Sequence, residues 1–154
     1  MAIILKPPAP LSFDDRLPSV FLAGSIDLGA AEDWQSTFCR ALEGERCVVL
    51  NPRREEWDSS WRQSIDDPNL REQVEWELEA QERATWIAMY FEPSSKAPIT
   101  MLELGLFART RKVIVCCPEG FWRKGNVDIV CARYGVETAP TRDALLAEIR
   151  RRVA

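Results

Sequence analysis

The sequence predicts an α/β fold, a single three-layer domain whose parallel sheet is covered by helices on both faces. Short apolar runs alternate along the chain with longer amphipathic segments, as in proteins built from repeated strand–helix units. The apolar runs are nearly continuous, which is typical of parallel strands buried on both faces. The length of 154 residues fits one domain with its own core.

The strands are predicted where a short apolar run is bounded by turn residues. They are residues 19–23, 46–50, 86–91, 112–117 and a short edge strand at 136–138. In the numbering of these predicted strands, the economical order is the flavodoxin-like 2-1-3-4-5. Residues 1–18 are rich in proline and are predicted to form an extended N-terminal arm, so that the domain itself spans 19–154.

The helices are predicted where apolar residues recur at helical spacing. They are residues 30–42, 70–85, 100–109 and 141–152. The first has a face with Trp34, Phe38, Ala41 and Leu42, and the second a stripe with Leu70, Val74, Leu78 and Gln81. The segments 51–69 and 118–135 are predicted as long connections, which in compact domains are usually functional or disordered.

Composition excludes several classes of protein. The chain has no His, which removes the commonest general base and most transition-metal sites, so neither a metal nor a cofactor is expected. The net charge is −4 and no long Lys/Arg block occurs, so polymeric nucleic acid is not an expected partner. No apolar stretch reaches the length of a membrane span, and Lys6 interrupts the apolar start, so we expect a cytoplasmic protein.

The segment Gly24-Ser25-Ile26-Asp27 follows the first predicted strand. Ligands of parallel sheets bind beyond the carboxyl ends of the strands, where free amides can hold an anion or sugar hydroxyls. Gly24 is also what a plain strand-to-helix turn requires. Both interpretations stay open at this point.

The segment Asn51-Pro52-Arg53-Arg54 follows the second predicted strand and is followed in turn by Trp57. An arginine fork can clamp a phosphate or carboxylate, and Trp57 can stack on a base. The alternative is a solvated loop with tryptophan packed as a lid on the core.

Glu103 lies in the first turn of the predicted helix 100–109, near the carboxyl end of the third strand. A carboxylate there can attack an electrophilic sugar carbon and form a covalent intermediate. The spacing Thr100-x-x-Glu103 equally fits a capping box, in which Glu103 only bonds the Thr100 amide.

Glu77 lies on an acid-rich helix but adjoins its apolar stripe. A partly desolvated carboxyl can hold a proton near neutral pH and act as an acid or base. A salt bridge at the boundary of the core is the alternative.

These segments together resemble the nucleoside 2-deoxyribosyltransferases and related nucleotide N-glycosidases. The turn Phe21-Leu22-Ala23-Gly24-Ser25-Ile26 is similar to the family's first motif. The box Leu102-Glu103-Leu104-Gly105, before the apolar strand 112–117, is similar to its nucleophile segment. The resemblance spans about residues 20–136, and the order of the motifs makes it specific.

The resemblance implies cleavage of the N-glycosidic bond of a nucleoside or nucleotide, with Glu103 as nucleophile and Glu77 at the acidic position that binds the base. It also implies that Asn126, in a Gly-Asn-Val stretch, reaches a neighbouring subunit's site, and therefore a homodimer or larger oligomer. The family's second acid has no counterpart, because Ala97 and Pro98 occupy its place. Hydrolysis and transfer to another base are thus both open.

Two other functions fit the same pattern. A nucleotide-binding sensor can keep the fold without the chemistry, and a TIR-like enzyme that cleaves NAD shares the sheet and a catalytic Glu. The three functions differ in what the protein releases. A nucleoside-cleaving enzyme releases a base, a TIR-like enzyme releases nicotinamide from NAD, and a sensor binds its nucleotide without releasing anything.

Overall fold

The computed structural model describes residues 1–26, 32–54 and 60–154. The fold is α/β with one six-stranded parallel sheet in the order β1-β3-β2-β4-β5-β6, so the predicted class is confirmed. The strands are β1 (Ile3–Leu5), β2 (Ser19–Gly24), β3 (Val48–Leu50), β4 (Trp86–Tyr90), β5 (Val113–Cys116) and β6 (Glu137–Thr138). The helices are α1 (Trp34–Leu42), α2 (Pro68–Arg83), α3 (Pro98–Phe107), α4 (Lys124–Tyr134) and α5 (Arg142–Val153).

The strand order differs from the predicted 2-1-3-4-5 because a sixth strand extends one edge. Residues Ile3–Leu5 of the predicted arm pair with β3, Ile4 lying opposite Val49. A strand of three residues is too short to give a periodic signal, which is why the sequence predicts only an extended arm there. The other five strands follow the predicted arrangement. The division of the chain at residue 18 stays a prediction.

Helices cover both faces of the sheet, because successive side chains of each strand point to opposite sides. In β2, Phe21 and Ala23 belong to a core cluster that includes buried residues of α2, α3 and α4. Val20 and Leu22 belong to the opposite cluster, which is built with α1 and α5. The near-continuous apolar runs of the sequence therefore reflect burial on two faces.

Two helices begin two residues before their predicted starts. Asp67 caps α2, its carboxylate accepting from the amides of Asn69 and Leu70 at 2.9 and 3.2 Å, and Pro68 occupies the first turn. α3 likewise begins at Pro98. Proline is favourable at a helix start because its missing N–H would have had no helical partner.

The predicted apolar stripe of α2 was right at Gln81, which is fully buried, and wrong at Val74, which is 43% exposed. The other most deeply buried side chains of the helix, Gln73 and Ala80, lie outside that stripe. The buried glutamine amides turn out to be part of the candidate site.

α4 was also missed, since residues 118–135 were predicted as a connection. Its only buried residues, Val127 and Cys131, are four apart, and its other apolar residues include Ile129, which is 70% exposed. Apolar residues on both sides of a helix erase the 3.6-residue period on which the prediction depends. In the part of the chain that the structure describes, no helix has the length and apolar character of a membrane span.

Candidate active site

A cavity of about 400 Å³ opens beside the carboxyl end of β2. One wall is the end of β2 and the turn after it, and the other walls come from α2 and α3. The chain leaves β2 towards β3 on one side and returns to β4 on the other, so this is the point where the strand order reverses. Such switch points are where open α/β sheets bind ligands.

Glu103 projects from α3 into this cavity and is only 6% exposed. Its Oε2 accepts a hydrogen bond of 2.7 Å from Nε2 of Gln81. The capping-box alternative is wrong, because the residue before α3 is Ala97, in the left-handed region at φ 47°, and Thr100 lies within the helix. The burial of Glu103 therefore needs another reason than a helix cap.

Glu77 reaches the same cavity from α2. Its Oε2 accepts a 2.8 Å hydrogen bond from Nε2 of Gln73, which also donates to the carbonyl of Pro52 at 3.0 Å. Gln73 is 1% exposed. No salt bridge links Glu77 to a described residue, which is contrary to the alternative of a boundary ion pair.

The two carboxyls are strongly perturbed. Burial raises the pKa of Glu103 to about 8; the charge of Glu77 adds to the rise and the Gln81 bond opposes it. Burial raises the pKa of Glu77 to about 7, opposed by the Gln73 bond. Because the two interact, their protons leave in two steps that belong to the pair, and near neutral pH the pair holds one proton. One acid and one carboxylate in a cavity are the elements of glycosidic bond cleavage.

The turn after β2 forms the wall opposite α3. Gly24, Ser25 and Ile26 all line the cavity, and that they bind a ligand stays a prediction. A Cβ on Gly24 would lie 2.5 Å from the Trp34 ring and 2.8 Å from the carbonyl of Tyr90, so glycine is required there for packing. The Ser25 hydroxyl is buried and bonds no other described residue.

Other predicted site residues lie outside the cavity wall. Asn51 is buried, and its Oδ1 accepts from the Arg53 amide at 3.0 Å. Arg53 forms an ion pair with Asp33 at 3.2 Å. Of this segment only Pro52 lines the cavity.

Asn126 is exposed on α4 and does not line this cavity. The predicted residues Asp27 and Trp57 lie outside the described residues.

Sequence reasoning missed Gln73 and Gln81 as partners of the carboxyls. They lie four residues before and after Glu77, a spacing that places all three on one face of α2. That spacing is visible in the sequence, but glutamine on an acid-rich helix is ordinarily an exposed residue.

Comparison with known proteins gives one family. Residues 17–121 match the family model described as nucleoside 2-deoxyribosyltransferase like. The matched part includes the whole cavity wall, both carboxyls and both glutamines. No curated protein matches the chain.

Proposed function

The chain belongs to the nucleoside 2-deoxyribosyltransferase-like family, and from this premise we propose that it cleaves the N-glycosidic bond of a nucleoside with Glu103 as the nucleophile. The observation that carries the proposal is a pair of carboxyls, the buried Glu103 and the half-buried Glu77, in one cavity at the switch point of the sheet. Two interacting carboxyls with raised pKa values supply both a nucleophile and a proton donor near neutral pH.

The pKa of Glu103 is raised further than that of Glu77, so the reactive form of the pair is the less populated one, in which Glu77 holds the proton. In that form ionised Glu103 attacks C1′ of the sugar through an oxocarbenium-like transition state. An oxygen–carbon bond forms, the bond from C1′ to the base nitrogen breaks, and the electron pair stays on that nitrogen. Protonated Glu77 donates its proton to the departing base. The products are a free base and a glycosyl ester of Glu103.

In the second step the ester is cleaved by attack on the face of the sugar that the first base left, opposite the bond to Glu103. Water, or the nitrogen of a second base, attacks C1′ and passes its proton to the Glu77 carboxylate. The bond from C1′ to Glu103 breaks and the electron pair returns to the carboxylate, so the pair again holds one proton. The first acceptor gives hydrolysis and the second gives transfer of the sugar.

The charge of the cavity supports a nucleoside over a nucleotide. Its described wall contains two carboxyls and neither Lys nor Arg. Nearby Arg54 is paired with Glu72 at 2.9 Å. A 5′-phosphate would meet the charge of this carboxyl pair with no Lys or Arg on the described wall to offset it, which is unfavourable.

The experiment is a screen for base release by liquid chromatography, with and without an acceptor base. The panel contains ribo- and 2′-deoxyribonucleosides, their 5′-monophosphates and NAD. We expect nucleosides to be cleaved faster than their monophosphates. Glu103→Gln should lose on the order of a thousandfold or more in turnover. Glu79→Gln, an exposed change on α2, is the matched control and should keep full activity.

Three outcomes contradict the proposal. Near-normal turnover by Glu103→Gln would exclude it as nucleophile. Tight nucleotide binding without base release over hours would indicate a sensor. Release of nicotinamide from NAD alone would indicate the TIR-like activity instead.

A further inference from the structure

Two buried glutamines on α2 each hold one oxygen of a carboxyl in the cavity. Gln81 is fully buried and donates to Glu103 Oε2 at 2.7 Å and to the backbone carbonyl of Glu77 at 3.1 Å. Gln73 donates to Glu77 Oε2 and to the carbonyl of Pro52. In the described part of the chain, the Oε1 atoms of both amides are buried without a hydrogen-bond partner.

The orientation of the Gln81 amide is fixed by chemistry. A backbone carbonyl can only accept, so the group that faces the Glu77 carbonyl must be the NH₂. A flipped amide would direct Oε1 at the Glu77 carbonyl and at the Glu103 carboxylate. Three hydrogen-bond acceptors would then face one another without a donor, which is unfavourable. Lys112 further fixes this end of α2, because its ammonium donates to the carbonyls of Gln81, Glu82 and Ala84. Gln81 is therefore a permanent donor to Glu103.

We propose that Gln81 is the positioning residue of Glu103: it holds Oε2 as a hydrogen-bond acceptor and leaves Oε1 as the atom that attacks C1′. This inference rests on the proposed function. A donor on one oxygen stabilises the ionised carboxyl, and so counters the burial that would otherwise keep the proton on Glu103. Among the described residues no hydrogen bond engages Oε1.

The same contact serves both chemical steps. When Oε1 bonds to C1′, Oε2 becomes the carbonyl oxygen of the ester, and Gln81 still donates to it. When water or a base attacks C1′, the electron pair of the breaking bond returns to the carboxylate, whose charge the Gln81 amide again stabilises. Gln81 itself exchanges no proton.

Few charged groups act on this pair. On the described elements around the cavity, Glu77 of α2 is the one titratable group that perturbs Glu103, and α3 contributes no other charged residue. The Lys112 ammonium donates to the backbone carbonyl of Gln81 and not to Glu103. The amide donor is thus the principal group that opposes burial of the Glu103 charge.

The test titrates Glu103 without its partner. In a Glu77→Gln background, the Glu103 carboxyl is followed by ¹³C NMR of protein labelled at glutamate Cδ, and is assigned by its loss in Glu103→Gln. Gln81→Met keeps the length of the side chain and removes the donor, so the pKa of Glu103 should rise by about one unit or more. Gln73→Met is the matched control and should leave that pKa unchanged. Gln81→Asn, whose shorter amide loses the contact, replaces Gln81→Met if the latter does not fold.

In the otherwise unchanged chain, Gln81→Met should also lower kcat at least about tenfold at neutral pH, with a smaller effect on KM. An unchanged Glu103 pKa in both Gln81 variants overturns the positioning role even if base release is normal. A raised pKa in a chain that releases no base from any nucleoside supports the contact and overturns the proposed function. The two failures are therefore distinct.

Discussion

Replacing Glu103 with Gln should stabilise the fold at alkaline pH and leave it unchanged near pH 4. The pKa of Glu103 rises in the folded chain from 4.5 to about 8 because the carboxyl is buried beside Glu77. A carboxyl with a raised pKa binds more protons folded than unfolded, so the free energy of unfolding falls as pH rises from about 4.5 through 8. Below that range Glu103 is protonated in both the folded and the unfolded chain, so its ionisation no longer lowers the free energy of unfolding.

The magnitude follows from the size of the perturbation. Each pH unit of difference in pKa corresponds to ~1.4 kcal/mol, so ionising Glu103 in the fold costs at most about 5 kcal/mol at pH 9. Water entering the open cavity lowers that cost, and we expect Glu103→Gln to gain about 2 kcal/mol or more at pH 9.

The assay is urea unfolding, followed by circular dichroism at several pH values from 4 to 10, with Glu79→Gln as the exposed control. The wild-type and Glu103→Gln curves of stability against pH should diverge above about pH 5 and run parallel to each other above pH 9. A constant difference across this range would refute the reasoning, since it would mean that Glu103 ionises as it does in water.

Two further predictions concern packing and assembly. Gly24→Ala should destabilise the fold by about 2 kcal/mol, since its Cβ would overlap the Trp34 ring. Gly105→Ala should instead stabilise the fold by up to about 1 kcal/mol, because Gly105 lies on the exposed side of α3 with nothing within 4 Å of the added Cβ. Equal urea midpoints for the two variants would contradict this. We also propose that Asn126 completes a neighbouring subunit's site, so sedimentation should show a dimer or larger oligomer. Mixing inactive Asn126→Ala with inactive Glu103→Gln should restore activity through sites that combine one intact residue from each chain, and no restoration would exclude a shared site.

Much of the architecture could be predicted because it depends on local patterns. β2, β4 and β5 are apolar along nearly their whole length, and α1 buries Trp34, Phe38 and Leu42 on one face as expected. α4 could not be found in this way, since it exposes apolar residues such as Ile129 as well as burying Val127 and Cys131. β1 could not be found because its strand character comes from the partner β3.

Part of the candidate site could likewise be predicted from the sequence, and part of it depends on tertiary packing. The sequence indicated Glu103 and Glu77 separately, but spacing alone left a capping box and a salt bridge as equal or better explanations. Only the packing of α2 against α3 brings the two carboxyls to one cavity, and only there does the charge of Glu77 raise the pKa of Glu103. Arg53 had the chemistry of a phosphate clamp, yet its ion pair with Asp33 directs it elsewhere.

The sequence by itself determined the fold class, the family and the two carboxylates, because apolar periodicity and short motifs are properties of neighbouring residues. The tertiary structure decided the burial, the pKa values and the hydrogen-bond partners of those carboxylates. The burial of Glu103, the effect of the Glu77 charge on its pKa and the Gln81 amide that holds it come from residues distant in the chain. Gln81 and Glu103, for example, are joined by one 2.7 Å hydrogen bond. A pKa depends on the surroundings of a group in space, and no local pattern encodes them.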